Sequence, residues 1–126
     1  MSVLTPYIAV PDARAALRWY AEILGAEPEG EPIMNEDGSV GHAELRVGGA
    51  LLMLADSAPD YDSVAPDLSR PASVTLHLTV DDVGAVVERA RSGGGRVDRE
   101  PTPTPFGRIA VVRDPFGHRW MFDQPV

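Results

Sequence analysis

Thr5–Gly25 reads TPYIAVPDARAALRWYAEILG, and Thr75–Gly95 reads TLHLTVDDVGAVVERARSGGG. At an offset of 70 residues, Thr5, Val10, Asp12, Ala15 and Gly25 meet Thr75, Val80, Asp82, Ala85 and Gly95. Each copy runs from an alternating strand through Asp into a helical pattern and on to glycine. In the first copy the alternation sets Thr5, Tyr7 and Ala9 against Pro6, Ile8 and Val10. Asp12 and Asp82 suit the N-cap, where a carboxylate accepts from the free N–H groups of the first turn. Ala16, Tyr20, Ile23 and Leu24 form one apolar helical stripe, and Val83, Val86, Val87 and Ala90 form the other. A strand–cap–helix pattern repeated at a fixed offset indicates a duplicated supersecondary unit.

The remaining sequence completes each copy. Strands are expected at Gly41–Val47 and Ala50–Ala55, joined tightly through Gly48-Gly49. The second copy offers Ser73–Val80, Gly107–Arg113 and His118–Asp123, the last two joined by the turn Asp114-Pro115-Phe116-Gly117. A weak strand follows the first helix among the turn signals of residues 26–40, and a proline-rich connection follows the second. Residues 56–72 are acidic, carry three prolines and lack periodicity. The expectation is one domain over 1–126, with module one at 1–55, a linker at 56–72 and module two at 73–126. Each module reads βαβββ, which gives an α+β fold.

Composition narrows the function classes. A chain of 126 residues, 44% hydrophobic, suits one compact domain. Its charge of −8 comes from 19 acids against 11 bases, all arginine. Such a surface opposes binding to phosphate backbones, so no nucleic-acid partner is expected. No cysteine occurs, which removes disulfides, thiolate nucleophiles and thiolate metal sites. No stretch reaches transmembrane length, and the start MSVLTPYIAV lacks a basic region before a long apolar one. No membrane association and a cytoplasmic location are expected.

With the endings LLMLAD and DPFGHRWMF, this architecture resembles the vicinal oxygen chelate superfamily of glyoxalases, bleomycin resistance proteins and dioxygenases. The stretches LTPYIAV, GHAELRVGG and RDPFGHRW are most similar to its PhnB-like branch. The resemblance implies two tandem βαβββ modules forming a cupped mixed sheet, with helices on the convex face, commonly within a homodimer. It also implies four metal-ligand positions. Two lie seven residues before each capping Asp, and here they hold Thr5 and Thr75. Two lie four residues after each hairpin glycine, and here they hold Met53 and Met121. The divalent metals of this family take imidazole nitrogen or carboxylate oxygen, whereas thioethers suit soft Cu(I). No metal and no cofactor are therefore expected, and the mechanisms that need the ion as Lewis acid or redox centre drop out.

Strand parity then suggests what lines the cavity. Tyr7, His42, Glu44, Met53, His77 and Met121 fall on the expected open face. Aligning Leu45 with Val111 adds Arg108, Ala110 and Val112, with Arg108 suited to gripping a carboxylate or phosphate. Each residue has a plainer reading as sheet packing or a surface ion pair. The DPFGH turn reads as structural. The function expected is a metal-free small-molecule-binding protein that sequesters a drug or metabolite. One alternative is an enzyme using His42, Glu44 and His77 for acid–base chemistry or as a relocated metal site. Another is a ligand-free dimerisation or regulatory domain.

Overall fold

The computed structural model of the protein describes residues 1–126. Its elements in chain order are β1 (Tyr7–Val10), α1 (Ala13–Leu24), β2 (Glu27–Pro28), β3 (Ile33–Met34), β4 (Val40–Val47) and β5 (Ala50–Asp56), followed by a short 3-10 turn at Pro59–Tyr61. Then come β6 (Thr75–Thr79), α2 (Val83–Ser92), β7 (Arg96–Thr104), β8 (Gly107–Arg113) and β9 (Arg119–Pro125). Two helices and two mixed sheets make an α+β fold, as the repeated pattern implies. The chain divides into two compact units, Met1–Ala65 and Pro66–Val126.

In the first unit the strand order is β1-β5-β4-β2, with β3 also pairing to β4. β1 runs parallel to β5 and needs a crossover, which α1 supplies. Asp12 caps α1, its Oδ1 accepting from Ala15 N at 3.1 Å. A second carboxylate serves the same helix end, because Asp56 on β5 accepts from Ala13 N at 2.7 Å and from Val40 N at 2.8 Å. Gly25 ends the helix at φ 69°, a left-handed conformation open to glycine at little cost. The expected stripe is buried at Ala16, Tyr20 and Ile23, and Ala13 and Trp19 join it. These pack on the sheet face formed by Ile8, Val10, Leu45, Leu52 and Leu54, all buried.

The second unit repeats the order as β6-β9-β8-β7. Asp82 caps α2 through Ala85 N at 3.1 Å, and Gln124 on β9 takes the place of Asp56 by accepting from Val83 N at 2.9 Å. Val83, Val86, Val87 and Ala90 are buried, as their spacing implies. The segment expected as a proline-rich connection is instead part of β7. Pro101 and Pro103 fit there because β7 is an edge strand, and its pairing to β8 shifts register twice on the way. In place of the one weak strand expected after α1 stand the two-residue pieces β2 and β3.

The DPFGH turn is held by one buried carboxylate. Asp114, 1% exposed, accepts from Phe116 N at 2.9 Å, His118 N at 3.0 Å and Trp120 Nε1 at 2.9 Å. Removing that acceptor strands several buried donors at once. Asp114→Ala is expected to cost about 4 kcal/mol of unfolding free energy. Asp12→Ala should cost about 1 kcal/mol, the usual value of an N-cap. Urea denaturation followed by tryptophan fluorescence measures both. Equal losses would mean that the Asp114 network does not hold the turn.

Candidate functional site

The face of the first sheet turned away from α1 carries the polar groups that the alternation points to. Tyr7, Met53 and Glu44 lie in one cross-strand row over β1, β5 and β4. His42 lies two residues from Glu44 on β4 and therefore shares its face. Four expected site residues thus come together on one surface: Tyr7, His42, Glu44 and Met53.

Three of these residues form a hydrogen-bonded chain. His42 Nε2 is 2.7 Å from Glu44 Oε2, and His42 Nδ1 is 2.8 Å from the Tyr7 hydroxyl. The Tyr7 ring meets the imidazole edge-on, with centroids 5.1 Å apart. A carboxylate only accepts, so Nε2 carries the proton that Glu44 receives. In the neutral imidazole Nδ1 is then an acceptor, and the Tyr7 O–H donates to it. When Nδ1 is protonated it donates to the phenol oxygen, and the Tyr7 O–H turns to Gly41 O, 3.2 Å away. Both protonation states are satisfied without moving a heavy atom. The side chains of His42 and Glu44 are about a quarter exposed, so the chain ends at solvent-accessible Tyr7. A carboxylate–imidazole–phenol chain of this kind can hold a proton at Tyr7 or accept one there.

Beside Tyr7 a cleft of about 830 Å³ opens in the same unit. Tyr61 lines it with four carboxylate residues, Glu36, Asp37, Asp56 and Asp60. Asp56 is committed to the backbone of α1 and β4. Asp37 accepts from Ser39 Oγ at 2.6 Å and from Ser39 N at 2.9 Å, and these bonds hold its carboxyl below the usual range. Glu36 and Asp60 are exposed to the opening. None of the cleft residues except Tyr7 stood among the expected site residues, because residues 26–40 read mainly as turns and 56–72 as linker.

The second unit holds the remaining expected residues. His77 pairs in register with Met121, and its Nε2 is 3.6 Å from Asp123 Oδ2. Arg108 does not join them. The register pairs Val111 with Met121 and Ile109 with Asp123, so Ile109, Val111 and Arg113 share the face of Met121. Arg108, Ala110 and Val112 instead share the opposite face with Gln124, Phe122 and Trp120. The hairpin loops explain the slip: Gly48-Gly49 is two residues, whereas Asp114–His118 is five. Residues before the loop therefore do not correspond at the offset of residues after it, and a one-residue shift exchanges the faces.

The four metal-ligand positions implied by the resemblance do not suit a divalent ion. Met53 and Met121 offer thioethers, and the Thr75 hydroxyl accepts from Arg119 Nη1 at 2.5 Å. A guanidinium cation against one donor position repels a second cation. Of the relocated set, His42 and Glu44 belong to the first unit and His77 to the second, and within neither unit are three His, Asp or Glu side chains grouped to hold a metal.

The sequence pattern of the Glyoxalase/Bleomycin resistance protein/Dioxygenase superfamily matches residues 3–122. This chain belongs to that superfamily. An uncharacterized protein of Mycobacterium bovis is 38% identical over 127 residues, covering 98% of this chain and 83% of its own. TnmS3, an antibiotic binding protein from a Streptomyces species, superposes with a TM-score of 0.70 at 26% identity, over 100% of this chain and 97% of its own. The fosfomycin resistance protein FosX of Mesorhizobium loti has the same fold, with a TM-score of 0.73 at 15% identity over 99% and 92% of the two chains.

The hydrogen-bond chain makes a direct prediction. Glu44 fixes the proton on Nε2, so nitrogen-resolved NMR of His42 is expected to show one tautomer in the native protein and a mixture in Glu44→Ala. A mixture already present in the native protein would contradict the assigned chain.

Proposed function

We propose that this superfamily member is a binding protein for a small cationic organic molecule, held at the first-unit cleft without a metal ion. The carrying observation is the cleft itself, a space of about 830 Å³ that combines two tyrosine rings with exposed carboxylates. Ring faces and carboxylates both attract an organic cation, and a volume of this size suits a drug-sized ligand. Tyr7 joins the cleft to His42 and Glu44, so a ligand with a donor group has a fixed acceptor–donor chain to meet. Similarity to an antibiotic binding protein at 26% identity supports a sequestering role, in which the ligand leaves unchanged.

A panel of cationic and anionic antibiotics of similar size, with bleomycin among the cations, tests this reading by thermal shift and equilibrium dialysis. Saturable binding is expected for at least one cation and for none of the anions. The double variant Glu36→Gln/Asp60→Asn should weaken it about tenfold, the sum of two partly screened charge contacts. Ni²⁺, Zn²⁺ and chelator should leave the midpoint unchanged. Stabilisation by a metal ion, or preference for anions, would sink the proposal.

The Glu44–His42–Tyr7 chain favours a second reading, in which the same ligand is a substrate for proton transfer. Mass analysis of recovered ligand separates the two. A changed mass or isomer, formed about 100-fold more slowly by Glu44→Gln, is the enzyme outcome. Unchanged ligand after long incubation is the binding outcome.

A further inference from the structure

A row of arginines crosses the second sheet. Thr75, Arg119, Arg113 and Arg96 are successive cross-strand partners on β6, β9, β8 and β7. Three cationic residues are therefore neighbours in one register row. Like charges directly opposite one another destabilise a sheet. With 11 basic residues among 126, chance placement rarely sets three in one row.

The neutralisation of this row is incomplete. Asp98 takes the Arg96 fork, with Nε to Oδ1 at 2.7 Å and Nη2 to Oδ2 at 3.1 Å. Arg70 lies 3.7 Å from Asp67. Arg113 and Arg119 have no such partner, since the other ion pairs of the unit join His77 to Asp123 and Arg91 to Glu88 and Glu100. Arg113, only 2% exposed, donates instead to the carbonyl oxygens of Gly117, Arg70 and Asp67 at 2.8, 3.0 and 3.4 Å. Arg119 donates to the Thr75 hydroxyl. Carbonyl and hydroxyl oxygens satisfy N–H groups without neutralising the charge, and the carboxylates of Asp67 and Asp98 act on these two arginines only from beyond ion-pair distance.

A cleft of about 380 Å³ lies against this row. Arg70, Arg96, Arg113 and Arg119 line it with Asp98 as the one acid. The Asp98 carboxyl is held low chiefly by its hydrogen bond to Arg96, against the opposing effect of burial, and the charges of Arg96, Arg113 and Arg119 act in the same direction as that bond. The field of the whole row thus reaches the cleft.

We propose that this cleft is an oxyanion site that takes a phosphate group, with Arg119 and Arg113 supplying the two unpaired charges. Two spare guanidinium charges match a phosphate dianion better than a single carboxylate, and guanidinium forks suit its oxygens. The site belongs wholly to the second unit and does not depend on the function proposed for the first.

The test titrates inorganic phosphate and glycerol phosphate separately into the full chain, at ionic strength matched with chloride, by calorimetry and thermal shift. Saturable binding and a raised unfolding midpoint are expected with at least one of them. Arg119→Gln should weaken binding about tenfold, the loss expected for one charge-assisted contact. Removing Arg119 also relieves a like-charge neighbour, so this variant should fold as well in chloride as the native chain does. Arg14→Gln, which deletes one positive charge from the exposed face of α1, should leave binding unchanged. Equal affinity for both ligands assigns the site to free phosphate, and tighter glycerol phosphate assigns it to a phosphorylated small molecule. The proposal is overturned by no binding beyond the chloride control, by native affinity in Arg119→Gln, or by equal weakening in Arg14→Gln.

Discussion

Both units depend on how the first N–H groups of the helix are satisfied. A parallel β1–β5 or β6–β9 pair needs the helix to leave the first strand and return the chain to the sheet. The helix start is fixed twice in each case. Asp12 and Asp82 hold the third helical residue, while Asp56 and Gln124 reach from the last strand to the first helical residue. The second contact joins helix, first strand and last strand at one point. Asp56 goes further, because its other oxygen holds Val40 N at the start of β4. A side chain at the end of β5 therefore sets three elements of the first unit in register, and the open-face chain of Tyr7, His42 and Glu44 inherits its alignment from that register.

The residues under this constraint were the legible ones. Helix caps, the glycine after α1 and the apolar stripes follow local rules, so the sequence places them well. The parity of β8 is not a local property. It depends on hairpin length, and five residues in place of two moved Arg108 off the expected face and brought Arg113 onto it. The prolines of β7 misled for a related reason: whether proline is tolerated in a strand depends on whether the strand is an edge, which only topology decides.

The site was legible as residue types and not as a network. Tyr7 and His42 are 35 residues apart, and nothing in their spacing shows that the phenol meets Nδ1. Pairing β1 to β5 and β5 to β4 is what carries one to the other. Arg96 and Arg113 were not among the expected site residues, because nothing local to the sequence sets them beside Arg119. Their common signal is register: two successive strand pairings set all three in one row. That signal exists only once the loop length has been assigned correctly.

The duplicated plan separates what is constrained from what is free. Capping positions must accept from a helix N–H, so they hold Asp, Asp, Asp and Gln in the two units. Apart from Asp56, the charged residues of the cleft linings answer to no such demand, and there the units differ in charge. The first surrounds its cleft with carboxylates, and the second surrounds its own with guanidinium groups. The positions that the resemblance implies for metal ligands hold Thr and Met in each unit, and the Met side chain fills space without committing charge. One scaffold thus supports two electrostatically opposite clefts, because apart from Asp56 the charged residues that line them are not the ones that hold the helix starts.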